Sequence, residues 1–199
     1  GCLWVDMKAM GGDVLISAPQ KGWSGPPCCG LVMMGERGVA ALEASTSTSF
    51  ACDLKKWRDI MAAYENGGHA YHATMPTDSI ASFAAVMRET EDYGFDKVMS
   101  EQKQLGDAVR ALLATKGIKS VAAEGFSAPG VVVIYTEDTA MQNGSKFAAL
   151  GMQIAAGVPL MCDEPEGFRT FRLGLFGLDK LHNVARSVAS LDVALDKVL

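Results

Sequence analysis

Two short, continuously apolar runs open the pattern. Val14, Leu15 and Ile16 form the first, closed by Ser17-Ala18-Pro19. Residues 29–34 form the second, bounded by Gly25-Pro26-Pro27 before and Gly35 after. Runs of this length without alternation predict strands of an α/β sheet covered on both faces. Residues 36–43 read as a helix and 45–49 as a Ser/Thr-rich loop. Asp53 starts a clear helix, with Leu54, Trp57, Ile60, Met61 and Tyr64 in one apolar stripe. Gly67-Gly68 stops it. An irregular polar-aromatic segment, 69–76, leads to Thr77, which suits a helix cap. Ile80, Phe83, Ala84 and Met87 then share a face until Gly94. Residues 96–115 form a further helix, with Val98, Leu105, Val109 and Leu112 aligned.

After Gly117 the pattern changes. Residues 119–123 and 131–135 predict strands, split by Ser127-Ala128-Pro129-Gly130. Residues 145–156 predict a helix, 168–175 a strand and 178–198 a long closing helix. That order is the order of a small α+β domain. The expected division is 1–95, the C-terminal part of a larger domain with its connecting helix, and 96–199, the small domain.

Composition narrows the function classes. The chain has 199 residues, 49% hydrophobic and 21% charged, so a folded core is expected. No apolar run approaches the ~20 residues of a membrane span. Net charge is −5 with dispersed basic residues, which argues against nucleic acid. Five cysteines (Cys2, Cys28, Cys29, Cys52, Cys162) show neither a disulfide framework nor a CxxC pair. Free thiols in a reducing cytoplasm are the simplest reading. Cys52, His69 and His72 match no ligand spacing, so no metal is expected and the histidines read as structural or solvent-facing.

The most informative stretch is Ser17-Ala18-Pro19-Gln20-Lys21-Gly22-Trp23. Here a lysine ends a buried run and enters a Gly/Pro-rich loop, where α/β folds place ligands. A partly desolvated lysine loses basicity, and its amine can attack a carbonyl. An exposed loop lysine is the plain alternative. The strand Gly30-Leu31-Val32-Met33-Met34 follows it, and three further segments agree: Tyr71-His72-Ala73-Thr74-Met75-Pro76, a stretch from Gly151 to Gly157, and Phe171-Arg172-Leu173-Gly174. Taken together they resemble class V aminotransferases, fold-type I enzymes dependent on pyridoxal 5′-phosphate (PLP). The alanine/serine–glyoxylate branch is the nearest in look.

The resemblance covers essentially the whole chain and implies definite roles. Lys21 would carry the cofactor as a Schiff base and move protons. Gln20 would contact its phosphate. Tyr71 and Thr74 would reach the phosphate of the neighbouring subunit's cofactor, which implies a homodimer with shared active sites. Arg172 would bind the substrate α-carboxylate; a guanidinium fork matches a carboxylate bidentately. Without the resemblance, Tyr71 suits a packing aromatic, Thr74 a residue before the Pro76 turn, and Arg172 an outward strand residue in a surface ion pair.

The implied reaction moves an amino group from alanine or serine to a 2-oxo acid such as glyoxylate or pyruvate. The same family takes a phosphate loop, a ring-stacking aromatic and an Asp for the pyridine nitrogen from an earlier half, and nothing in this chain matches them. The chain therefore resembles the C-terminal portion of such an enzyme. Alternatives are a non-catalytic fragment or assembly partner, a PLP lyase, or a phosphonate transaminase of the same superfamily.

Overall fold

A computed structural model describes residues 2–199; Gly1 lies outside the described residues. The chain forms two units. One comprises residues 5–19 and 26–84, the other residues 2–4, 20–25 and 85–199.

In the first unit, β1 (Val14–Ser17) pairs antiparallel with β2 (Leu31–Met34), Val14 opposite Met34 and Ser17 opposite Leu31. Helix α1 (Glu36–Ala44) crosses the start of β1 at Gly38. A Cβ there would meet the Asp13 carbonyl at 2.5 Å, so only glycine allows this approach. Helix α2 (Leu54–Glu65) begins as expected, with the Lys56 amide donating to the Asp53 carboxylate at 3.0 Å. Lys55 (3.2 Å) and Arg58 both pair with Glu43, tying α2 to the end of α1.

Two expectations fail in this unit. The β1–β2 sheet is not covered on both faces: Val14 is 50% and Ile16 74% exposed. A sheet only two strands wide has too few neighbours to bury both sides. The α2 stripe is also only partly used, for Met61 and Tyr64 at its far end stay exposed.

Helix α3 (Thr77–Tyr93) leads out of the first unit and stops at Gly94, whose φ of 102° ends it. In the second unit, α4 (Phe95–Thr115) packs with β3 (Val131–Tyr135). Next come α5 (Thr139–Gln142), α6 (Ser145–Ala148), β4 (Ala155–Ala156), β5 (Thr170–Gly174), α7 (Leu178–Leu181) and α8 (Val184–Val198). The sheet order is β3-β5-β4, with both pairs antiparallel.

Alternation on the strands divides the faces. Val132, Ile134, Phe171 and Leu173 are buried with Leu105, Val109 and Leu113 of α4 and Leu191, Leu195 and Val198 of α8. Phe147 closes this core, its ring 5.7 Å from that of Phe171. Among the described residues no helix is long and apolar enough to cross a membrane.

Three predicted elements are corrected here. Residues 119–123 make only one isolated bridge, Ser120 to Ile134, and not a strand. The Ser120 hydroxyl accepts the Ala122 amide at 3.2 Å, a local bond that competes with a ladder. The helix expected over 145–156 ends at Ala148, because Gly151 turns the chain at φ 73° and the Met152 amide returns to the Phe147 carbonyl. The closing helix over 178–198 is two helices. Asn183 interrupts it and caps α8, accepting the Arg186 amide at 3.0 Å.

Gly157 lies where β4 meets β5. Its amide donates to the Gln142 carbonyl at 3.0 Å. An added Cβ would overlap the Thr170 carbonyl. Gly157→Ala should therefore destabilise this unit by about 1–3 kcal/mol, the usual range for forced overpacking. The urea midpoint measures it, and an unchanged midpoint would contradict the close approach.

Candidate functional site

Lys21 sits in a turn of the second unit, directly after the β1 run. Its carbonyl accepts the Ser24 amide at 2.8 Å. Ser24 takes a φ of 53°, a left-handed conformation that a serine adopts only under constraint. Gly177 allows a close approach, for a Cβ there would meet the Ser24 hydroxyl at 2.6 Å. The turn thus lies against the residues that follow β5. Trp23 presents its ring edge-on to Phe95 at 6.2 Å. Gln20 and Lys21 are both exposed, and among the described residues no carboxylate pairs with Lys21. The Cys2 thiol, seated on Gly130, is raised by burial, while the Lys21 ammonium pulls it the other way.

Arg172 occupies the centre of β5. Period two puts its side chain on the face opposite Phe171 and Leu173. There its Nε donates to the Ala156 carbonyl of β4 at 2.9 Å. That bond fixes the stem of the side chain. Among the described residues no carboxylate pairs with the guanidinium, so the surface ion pair that sequence alone allowed is absent there. A planar fork held by one nitrogen and open at the others is suited to a carboxylate.

Helix α4 holds the segment that enters β3 and the residue that follows β5. Gln102 of α4 is buried and donates to the carbonyls of Pro129 (3.0 Å) and Leu175 (2.8 Å). Arg110 donates to the carbonyls of Ala128 (2.7 Å) and Val131 (3.2 Å). Burial lowers the Arg110 pKa, the cost of using a cation as a backbone clamp. Gly106 lets α4 approach, since a Cβ would stand 2.8 Å from the Pro129 carbonyl oxygen. None of these three positioning residues was singled out from sequence. Their partners lie far along the chain, and no local spacing signals them.

Tyr71 and Thr74 belong to the first unit, and both are exposed. Their segment is pegged by His72, whose Nε2 meets the Phe50 carbonyl at 3.0 Å. The His72 ring stands 4.2 Å from that of Phe50 and 5.0 Å from that of Trp57. The peg turns the neighbouring Tyr71, 72% exposed, outward. A packing role for Tyr71 within the unit does not fit that exposure.

Two other features carry no assigned role. A cavity of about 650 Å³ in the second unit includes Lys119, Tyr135, Lys146, Phe168 and Arg169 in its lining, but none of the five candidate residues. The acidic loop after β4 is organised by Glu164, which accepts the amides of Leu160, Met161 (2.9 Å) and Cys162 (2.8 Å). Backbone donors hold its carboxyl below the usual range. Among the described residues no three His, Cys, Asp or Glu side chains gather as a metal site.

No known family profile matches the chain. A curated relative named soluble hydrogenase small subunit, from a Synechococcus species, is 23% identical over 98% of this chain and 49% of its own length. Alanine–glyoxylate aminotransferase 1 of Saccharomyces cerevisiae is 25% identical over 69% of this chain and 38% of its own. The crystal structure of an alanine–glyoxylate aminotransferase from a Nostoc species superposes with a TM-score of 0.79 at 18% identity, covering 100% of this chain and 51% of that one. The chain spans about half the length of the curated relatives it matches. These likenesses establish the fold: the chain folds like about half of solved aminotransferases of the alanine–glyoxylate and ureidoglycine–glyoxylate kind.

Proposed function

We propose that this chain is the C-terminal half of a PLP-dependent aminotransferase that moves an amino group from alanine or serine to a 2-oxo acid such as glyoxylate or pyruvate. The observation that carries the reading is the exposed Lys21, without a carboxylate partner among the described residues, at the strained turn after β1. It stands in a chain whose whole length follows this fold.

The residues present fit the cofactor. Lys21 offers an amine with no competing ion pair among the described residues, Gln20 a neighbouring amide, and Tyr71 and Thr74 the hydroxyls of two exposed residues on a pegged segment. When bound, PLP supplies the electron sink for the carbanion. In this reading Lys21 would anchor the cofactor and would hold and return the proton at the substrate Cα. Arg172 binds the α-carboxylate and so orients the Cα–H bond toward Lys21. Gln20 contacts the phosphate. Tyr71 and Thr74 serve the phosphate of a second subunit, so the working form is a homodimer that shares its sites. Free thiols agree with a cytoplasmic setting.

The test is chemical trapping. In any preparation that transaminates, borohydride reduction with PLP should fix a pyridoxyl group on Lys21, read by peptide mass mapping. The group on a different lysine, or on none, would overturn the assignment.

A further inference from the structure

We propose that Cys28 and Cys29 form a preset dithiol site that captures a monosubstituted trivalent arsenical. The inference does not rest on the cofactor reading. The two residues are adjacent, and their sulfurs lie 3.7 Å apart, the Cys28 thiol directed at Cys29. The sequence placed Cys29 inside a strand, but β2 begins only at Leu31, so both lie in the segment ahead of it. That segment is fixed locally. Pro26 and Pro27 restrict φ, and the Cys28 amide donates to the Pro26 carbonyl at 2.8 Å. Both thiols are half-buried and free, and beside them a Cβ on Gly30 would meet nothing within 4 Å.

The spacing discriminates among thiol chemistries. A disulfide would draw the sulfurs to ~2.05 Å, well inside their observed separation. It would also need an oxidant to take up two electrons, which bridging by one atom does not. A single bridging atom needs no such collapse. Two metal–sulfur bonds of ~2.3 Å at a tetrahedral angle set sulfurs about 3.8 Å apart. A bare metal ion, however, wants about four donors. Among the described residues no cluster of three or more supplies them. An arsenic atom that already bears one organic group needs only two more bonds. The step balances without redox change: two S–H bonds and the As–O linkage break, two As–S bonds form, the thiol protons leave with the oxygen as water, and arsenic stays trivalent.

The experiment uses the reduced full chain and phenylarsine oxide. Intact mass should show one adduct per chain, less one water, and digestion should place it on the peptide holding Cys28 and Cys29. A monothiol wash should leave it and a dithiol wash remove it. Cys28→Ser and Cys29→Ser should each shorten retention under the monothiol wash by roughly 10²-fold, the usual advantage of a two-point attachment. Cys2→Ser, Cys52→Ser and Cys162→Ser should not. The native chain should also hold the adduct about tenfold longer than the same chain in denaturing urea, because the fold presets the pair. An adduct on other cysteines, or none, would overturn the site. Equal retention in native and denatured chain would overturn the preset geometry.

Discussion

The 199-residue polypeptide alone, supplied with PLP, L-alanine or L-serine and glyoxylate, should release no glycine at an enzymatic rate. PLP chemistry needs a phosphate cradle, because the phosphate is a dianion best met by backbone N–H groups. It also needs a carboxylate to keep the ring nitrogen protonated, which makes the ring a stronger electron sink. The chain brings Lys21, Gln20, Tyr71, Thr74 and Arg172. The carboxylates that precede Lys21 are committed elsewhere. Asp6 accepts the Ala9 amide at 3.0 Å, and Asp13 pairs with Arg37 at 3.4 Å. The exposed Val14 and Ile16 of β1 agree, since the two-stranded sheet leaves open a face that its sequence suits for burial. Glycine formation is the measurement. Turnover of ~1 s⁻¹ or faster, within the ordinary enzyme range, would show that this half suffices.

Sequence carried furthest where one local signal fixed the structure. Asp53 caps α2 as its position ahead of the Leu54 stripe predicts, and Gly94 separates α3 from α4. β3 and β5 appear where the apolar runs put them. It failed where a local bond competed with a long-range one. Ser120 binds its own neighbour, Gly151 turns the chain out of a helical pattern, and Asn183 caps a new helix inside what read as one. The burial of β1 was misjudged for another reason: composition records what a strand suits, and the pair β1–β2 lacks the neighbours to supply it.

The candidate residues were drawn from sequence in a similar way. Lys21 and Arg172 stood out because their flanking residues form recognisable motifs. The residues that hold the entry to β3 and the exit of β5 did not. Gln102 reaches across 73 residues to the Leu175 carbonyl, and Arg110 across 21 to that of Val131. His72 read as structural or solvent-facing, and the structure makes it the peg that presents Tyr71.

Arg172→Lys should lower kcat/KM for the amino acid by roughly 10²-fold in the assembled enzyme, this chain with its complement, while PLP stays bound. The guanidinium is held through Nε on the Ala156 carbonyl, which leaves the remaining nitrogens as a fork. A lysine ammonium keeps the charge but is a point donor on a flexible stem, and it cannot reproduce a bidentate pair. Loss of one such charge-assisted contact costs on the order of 2–3 kcal/mol, which is that fold-change. The loss should fall chiefly on KM if the pair is equally strong in ground and transition states, and on kcat if it orients the Cα–H bond. Two controls separate binding from structure. The cofactor's absorbance should be unchanged, because this reading assigns Arg172 to the substrate. The unfolding midpoint should shift little, because Arg172 lies on the sheet face opposite Phe171 and Leu173, away from the core they build. Unchanged amino-acid kinetics would refute the role, and loss of PLP in parallel with activity would assign Arg172 to the cofactor instead.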